Sequence, residues 1–244
     1  MSDNSRLVVI GDIHGRSAWK NVIDKEFTDN THVVFVGDYF DSFDVSATNQ
    51  LYNFKEIVAF KEANPNQVTL LVGNHDLHYT RGFMQRYSGY QAASSFSFML
   101  DLEDAIRQNL IQAALSWKGR VLVTHAGLTK TWARDMGIGP DLPLDQVADS
   151  INAIFKRSPR NFAFVSGGDL YGNDVYQGPC WVRPESLAAD SYTHDMEALQ
   201  VVGHTQLLEV KEFGWCLYGV DCLEYGYYAS VDDDSLSVVN SHNL

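Results

Sequence analysis

A chain of 244 residues with 45% hydrophobic and 20% charged side chains is long enough for a sizeable core and too mixed for a fibrous or wholly disordered polymer. Its 31 Asp and Glu against 18 Lys and Arg leave a formal charge of −13, a field that repels a phosphate backbone and argues against general nucleic-acid binding. No apolar run nears the ~20 residues of a membrane-spanning helix, and the polar start from Met1 to Arg6 lacks the apolar stretch of a signal peptide. The three cysteines, Cys180, Cys216 and Cys222, have no CxxC spacing and read as reduced packing residues. The expectation is one cytoplasmic domain over residues 1–244, without membrane contact.

In chain order, the apolar run Arg6 to Ile10 closes at Gly11, and Trp19, Val22, Ile23 and Phe27 follow at helical spacing. The run His32 to Val36 closes at Gly37, and Leu51, Phe54 and Val58 mark a helix that Asn64-Pro65 stops. Val68 to Val72 is a third run, closed by Gly73. Repeated strand, turn and helix imply βαβ crossovers and a sheet buried on both faces, with ligand sites off the strand carboxyl ends. Leu102, Ile106, Leu110 and Leu115 predict a helix before the strand Val121 to Val123, and Val147, Ile151, Ile154 and Phe155 predict another. From Leu199 the pattern becomes short runs, Leu199 to Val202, Cys216 to Val220, Tyr227 to Val231 and Leu236 to Val239, expected to form a second sheet or a meander.

Metal-capable side chains fall directly after these runs. They are Asp12 and His14 in Gly-Asp-Ile-His-Gly, Asp38 and Asp41 in Gly-Asp-Tyr-Phe-Asp, and Asn74, His75 and Asp76 in Gly-Asn-His-Asp, together with His125 after Thr124 and His204 after Gly203. One Asp after a strand is usually a turn former or helix cap, and one buried His is usually a hydrogen-bonded core residue. Five such ends in register are different: desolvating that many polar groups together is costly unless cations compensate. Mixed oxygen and nitrogen donors suit manganese, iron or zinc better than calcium or magnesium.

The ordered blocks DxH, GDxxD, GNH[DE], H and GH across residues 11–205 resemble the calcineurin-like metallophosphoesterase superfamily. Within it the chain is similar to bacterial and phage serine/threonine phosphoprotein phosphatases and to symmetrical dinucleoside tetraphosphatases. Gly73 to His78, His125 to Leu128 and Trp132 carry the second likeness. The resemblance implies an α/β fold, a four-layer sandwich of two mixed β-sheets flanked by helices. It also implies a metal-dependent phosphoric ester hydrolase with two divalent ions, manganese first and iron or zinc as alternatives. Asp12, His14 and Asp38 would hold one ion; Asp38 as a bridge, Asn74, His125 and His204 would hold the other, and a hydroxide bridging them would be the nucleophile. His75 would protonate the leaving oxygen, and Asp41 would orient His75 and stabilise its protonated form.

One position departs from the pattern: where such phosphatases place an arginine after the GDxxD carboxylate, this chain has Ser42. Arg183, before Pro184, resembles their second phosphate-binding arginine. Arg16 and Arg81, beside motif turns, are candidate replacements for the missing one. The expected partner is a phosphorylated substrate, a phosphopeptide or small phosphate monoester, with a dinucleoside tetraphosphate as the alternative. A non-catalytic metal-binding scaffold is the alternative of another class, against which the presence of both His75 and Asp41 argues. His78 is expected on a helix surface, while His32, His194 and His242 carry no assigned role. Tyr225, Tyr227 and Tyr228 read as strand packing, and Asp232 to Asp234 as a solvated hairpin turn.

Overall fold

The computed structural model describes residues 6–214 and 216–232, and the backbone of 236–240. Asp233, Asp234 and His242 therefore lie outside the described residues. The first sheet is built on β1 (Arg6–Ile10), β2 (Thr31–Phe35), β3 (Val68–Leu71) and β4 (Ile111–Gln112), all parallel. Between them run α1 (Trp19–Glu26), α2 (Ala47–Ala63), the single turn α3 (Asn74–Leu77) and α4 (Ser95–Arg107). The second sheet contains β5 (Ala114–Trp117), β6 (Val121–Thr124), β7 (Leu199–Val202), β8 (Lys211–Glu212) and β9 (Leu217–Gly219) in the order β5-β6-β7-β9-β8. Strands β6, β7 and β9 are parallel, and the two edge strands run against them. The connections include α5 (Lys130–Asp135), α6 (Leu144–Arg157) and α7 (Pro184–Ala189).

Alternation along β1 shows the layering, because successive side chains point to opposite faces. Leu7 and Val9 join Val34, Val36, Leu71, Val121, Val123 and Val201 in the core between the sheets. Val8 and Ile10 join Trp19, Val22, Phe54, Ile57 and Phe98 under the helices. On α6, Leu144, Val147, Ala148, Ile151, Ile154 and Phe155 are buried, a spacing that places them on one helix face. The result is helices, sheet, sheet, helices: the expected sandwich of two mixed sheets.

Two expectations are corrected. The helix through Leu102 and Ile106 does not reach Leu110 or Leu115. Asn109 adopts the left-handed region (φ 57°), and Asn109 N and Leu110 N donate to Ile106 O and Ala105 O, a Schellman stop that turns the chain into β4. Leu115 lies in β5, which Asn152 on α6 holds: its Oδ1 accepts from Ala113 N and Ala114 N at 2.8 and 2.9 Å, and its Nδ2 donates to Ala114 O. The last runs also divide. Leu199–Val202 and Leu217–Gly219 enter the second sheet, whereas β10 (Tyr227–Val231) and β11 (Leu236–Asn240) form a hairpin on the first, with β10 antiparallel to β1. Alternation identifies a strand but not its partner. Here the free edge of β1 takes β10, and Tyr228 donates to the buried Glu26 of α1 at 2.6 Å.

Cys180 and Cys222 are buried as expected, but Cys216 is exposed. No described helix is long and apolar enough to cross a membrane. Replacing Asn152 by Ala removes the partner that Ala113 N and Ala114 N share under α6, while Ala114 O keeps the bond from Gln112 Nε2, and should cost about 1–3 kcal/mol in urea unfolding. A change within 0.3 kcal/mol would show that water replaces the clamp.

Candidate functional site

The carboxyl ends of β1, β2 and β3 meet those of β6 and β7 across the gap between the sheets. Asp12, His14, Asp38 and Asn74 come from the first set, and His125 and His204 from the second. The glycines before the motif residues leave the space: a Cβ on Gly73 would stand 2.1 Å from Asp38 Oδ1, and one on Gly203 2.2 Å from Asp12 Oδ1. The chain also turns sharply here. His14, Asp38, Asp41 and His204 all have positive φ, between 42° and 66°, a strained state for side chains with a Cβ that clusters at functional sites.

Asp76 is the clamp of these turns. It is fully buried, and its two carboxylate oxygens accept from Gly73 N, Asp38 N and Tyr39 N at 2.8 to 2.9 Å. Burial pushes its carboxyl up to about 7 against the pull of those three N–H groups. Its place in the motif suggests a metal donor, but its oxygens serve the backbone.

Each of the three histidines gives one ring nitrogen to a backbone carbonyl. His14 Nδ1 donates to Phe40 O at 2.7 Å, His125 Nδ1 to Val36 O at 2.8 Å, and His204 Nε2 to Trp181 O at 3.1 Å. Burial holds all three imidazoles neutral, pushing His14 down to about 4, His125 to about 3 and His204 well below its ordinary value. A neutral imidazole that donates from one nitrogen presents a lone pair on the other. Those lone pairs face acceptors: His125 Nε2 and His204 Nδ1 stand 2.8 and 3.0 Å from Asn74 Oδ1, and His125 Nε2 and His14 Nε2 stand 3.5 and 3.8 Å from Asp38 Oδ2. An amide flip of Asn74 would satisfy two imidazoles with its NH₂ but leave the carboxylates unmatched.

Asp12 and Asp38 are buried beside each other, and burial pushes both carboxyls well above the ordinary range. Asp221 adds repulsion at Asp12, and Asp12 adds repulsion at Asp38. Lone pairs and carboxylates crowded this way fit divalent cations, which would remove the repulsion and the desolvation penalty together. Asp12, His14 and Asp38 already bring three donor atoms within 4.8 Å of one another.

Asp41, His75 and His78 form a second candidate group of metal donors. His75 Nδ1 lies 2.9 Å from Asp41 Oδ2, Tyr79 donates to Asp41 Oδ1, and His78 Nε2 lies 2.6 Å from Asp41 Oδ2 without the alignment of a good hydrogen bond. Burial alone would raise the Asp41 carboxyl, but the bonds from His75 and Tyr79 and the close approach of His78 outweigh it and hold the group below the ordinary range. His78 is thus buried, contrary to the expected helix surface. It sits after a single helical turn, packed among Tyr79, Tyr87 and Tyr90.

A cavity of about 780 Å³ opens over this floor, lined by Asp12, His14, Asp38, Asn74, His75 and His204. Arg183 and Arg16 line it too. Arg183 is held by Tyr171 O through Nε and by His204 O and Thr205 Oγ1 through Nη1, while Arg16 Nη2 lies 3.3 Å from Asp44 and 3.4 Å from Glu224. Arg81 is exposed and outside the cavity lining, which removes it as a replacement clamp. Ser42 serves its turn instead: its Oγ donates to Asp44 Oδ1 at 2.6 Å. Sequence reasoning missed Asp221, which lines the cavity beside Asp12 and is raised to about 6, chiefly by burial. Its signal was the familiar one, a carboxylate just past a strand, here β9.

Residues 5–206 match the family model of the calcineurin-like phosphoesterases. A protein-tyrosine phosphatase of the psychrophile Shewanella sp. superimposes with a TM-score of 0.66 at 19% identity, over 100% of this chain and 81% of that one. A serine/threonine phosphatase from Saccharomyces cerevisiae gives 0.62 at 15% identity, over 98% and 80%. At such identities the likeness shows a shared fold. No curated protein matches the chain at a significant level. The family match spans most of the sequence, and the chain belongs to the calcineurin-like phosphoesterase family.

Two measurements follow from this floor. Adding Mn²⁺ to chelator-treated protein should raise Tm; an ion at a hundredfold excess over its Kd stabilises by about 2.7 kcal/mol, and an unmoved Tm would remove the metal reading. Asp76→Asn should weaken Mn²⁺ binding in calorimetry by roughly tenfold or more, on the scale of lost supporting contacts at metal sites, although Asp76 itself holds no metal.

Proposed function

We propose that this calcineurin-like phosphoesterase hydrolyses phosphate monoesters, in the manner of a serine/threonine protein phosphatase, at a centre that holds two divalent ions. One observation carries the reading: neutral imidazole lone pairs, buried carboxylates and an amide oxygen converge beside a histidine-carboxylate pair on the floor of one cavity. Asp12, His14 and Asp38 would hold one ion; Asp38, Asn74, His125 and His204 would hold the other. Mixed nitrogen and oxygen donors favour manganese, with iron or zinc as alternatives. When bound, the ions would supply Lewis acidity toward the phosphoryl oxygens and acidify water. Asp41 is excluded from this set because its oxygens already receive His75 and Tyr79, with His78 close by.

The chain's own groups supply the rest. Hydrolysis breaks the bond between phosphorus and the leaving oxygen, and His75 at the cavity wall gives that oxygen its proton. Asp41 fixes the ring through Nδ1, which leaves Nε2 as the donor, and Tyr79 and His78 fix Asp41 in turn. A scaffold that only bound metal would have no use for this chain of contacts. Arg183 binds the phosphoryl oxygens, its orientation set by the carbonyls of Tyr171 and His204. Arg16, tied between Asp44 and Glu224, carries less free charge, and the carboxylates around it disfavour a polyanionic dinucleotide.

His75→Asn should retain metal and lose roughly 10²- to 10⁴-fold in kcat toward an alkyl phosphate, with a smaller loss for p-nitrophenyl phosphate, whose leaving group needs less protonation. Equal losses on both substrates would remove the acid role. In Arg183→Ala, KM should rise and kcat fall for every phosphate tested, and Lys should restore only part of the loss because an ammonium cannot keep the contacts to Tyr171 O, His204 O and Thr205 Oγ1 while presenting its charge to the phosphate.

A further inference from the structure

Phe43, Leu170 and Tyr171 are 85%, 85% and 76% exposed, and all three line the cavity above the candidate centre. Large apolar side chains scattered singly on a surface need no explanation, but several at the mouth of one cavity mark a face that a bound molecule covers. Behind them the wall continues inward through Tyr87, Phe164 and Trp181, whose rings meet edge-on with centroids 4.4 Å (Tyr87 to Trp181) and 5.1 Å (Phe164 to Trp181) apart. The outer segment is fixed. Arg183 Nε donates to Tyr171 O at 2.8 Å, Arg183 N to Gly172 O at 3.2 Å, and Asp169 Oδ1 accepts from Tyr171 N and Asn173 N at 2.8 and 3.0 Å. Phe43 stands between Asp41 and Asp44 in the chain, so the apolar and acidic parts of the mouth adjoin there.

The rest of the lining is polar and acidic. Arg16 lies between Asp44 and Glu224, with Asp221 and Gln206 completing the lining. Two carboxylates around one guanidinium leave net negative charge at the rim, on a chain that is itself −13. An apolar wall and an acidic patch in the lining of one cavity describe the molecule that would fit: a phosphate carrier with a large apolar group and a positive charge close to the phosphate.

Building on the phosphomonoesterase reading above, we infer that the preferred substrates are phosphopeptides in which a large apolar or aromatic residue and a basic residue flank the phosphorylated side chain. Burying one aromatic flank on the wall is worth on the order of tenfold in kcat/KM, the range of a hydrophobic subsite contact. The basic flank acts on the approach rate and weakens as salt screens the rim.

The test is a panel of phosphoserine peptides of equal length on the Mn²⁺-loaded enzyme, with Phe or Gly on one flank and Lys or Glu on the other, in both chain directions, alongside free phosphoserine and a dinucleoside tetraphosphate. The peptide with Phe and Lys should exceed the one with Gly and Glu by tenfold or more. Phe43→Ser and Leu170→Ser, singly and together, should drive the Phe-to-Gly ratio toward one; both side chains are exposed, so the fold tolerates the change. Glu224→Gln should reduce the Lys-to-Glu ratio. Uniform kcat/KM across the peptides, ratios that survive these substitutions, or a dinucleoside tetraphosphate ahead of every peptide would overturn the inference while leaving hydrolysis intact. Absence of turnover on every substrate, free phosphoserine included, would overturn the phosphomonoesterase reading instead. Binding of the same peptides to metal-loaded His75→Asn would then decide the flank preference separately, and equal affinities would reject it.

Discussion

Asp12 and Asp38 are buried side by side, with Asp221 behind Asp12, and keeping these carboxylates in place is the constraint on which the rest of the molecule depends. Buried like charges do not stay together on their own account. The fold meets the cost in two ways. Backbone donors are committed to the cluster: His204 N to Asp12 at 3.1 Å, His75 N to Asp38 Oδ1 at 2.8 Å, and three more to Asp76. Backbone acceptors are committed to the histidines, leaving each ring a lone pair aimed inward. What remains unmatched is positive charge at the centre, which a divalent ion would supply.

The same constraint explains why two sheets are needed. The donors are divided between them, and the links that set their distances cross the gap, from His125 Nδ1 to Val36 O and from His204 N to Asp12. Slippage of one sheet against the other would open the centre. The close packing of Val34, Val36, Val123 and Val201 between the sheets is therefore also what fixes the site geometry.

The strands that carry the site were legible because their signals are local: an apolar run, a glycine, then a polar donor. All six candidate metal donors, and the pairing of Asp41 with His75, come from such turns. The missed features depend on distant partners. His78 stands close to the motif turn, but its burial comes from Tyr87 and Tyr90 in the segment that folds back over it. Leu115 keeps an apolar rhythm with Leu110, but a left-handed Asn109 and the side chain of Asn152 decide that it is strand. The run at Tyr227 declares a strand without declaring that its partner is β1, more than two hundred residues earlier. Asp221 obeys the same rule as the other turns, a carboxylate just past a strand, but stands outside any motif.

Floor and rim obey different physics. On the floor, the positive φ of His14, Asp38, Asp41 and His204 stores strain on the order of 1–3 kcal/mol each, sustained only because surrounding contacts over-determine those turns. Asp and His tolerate that region better than most residues with a Cβ, so chemistry and backbone select the same side chains there. A change at one of these positions loses a donor and a turn together. The rim carries no such double requirement: Ser42 closes its own turn through Asp44. Exposed side chains such as Phe43 and Leu170 bear on what enters the cavity and hardly on whether the chain folds. The strained floor thus ties chemistry to backbone, whereas the contacts that select what enters sit where substitution costs little.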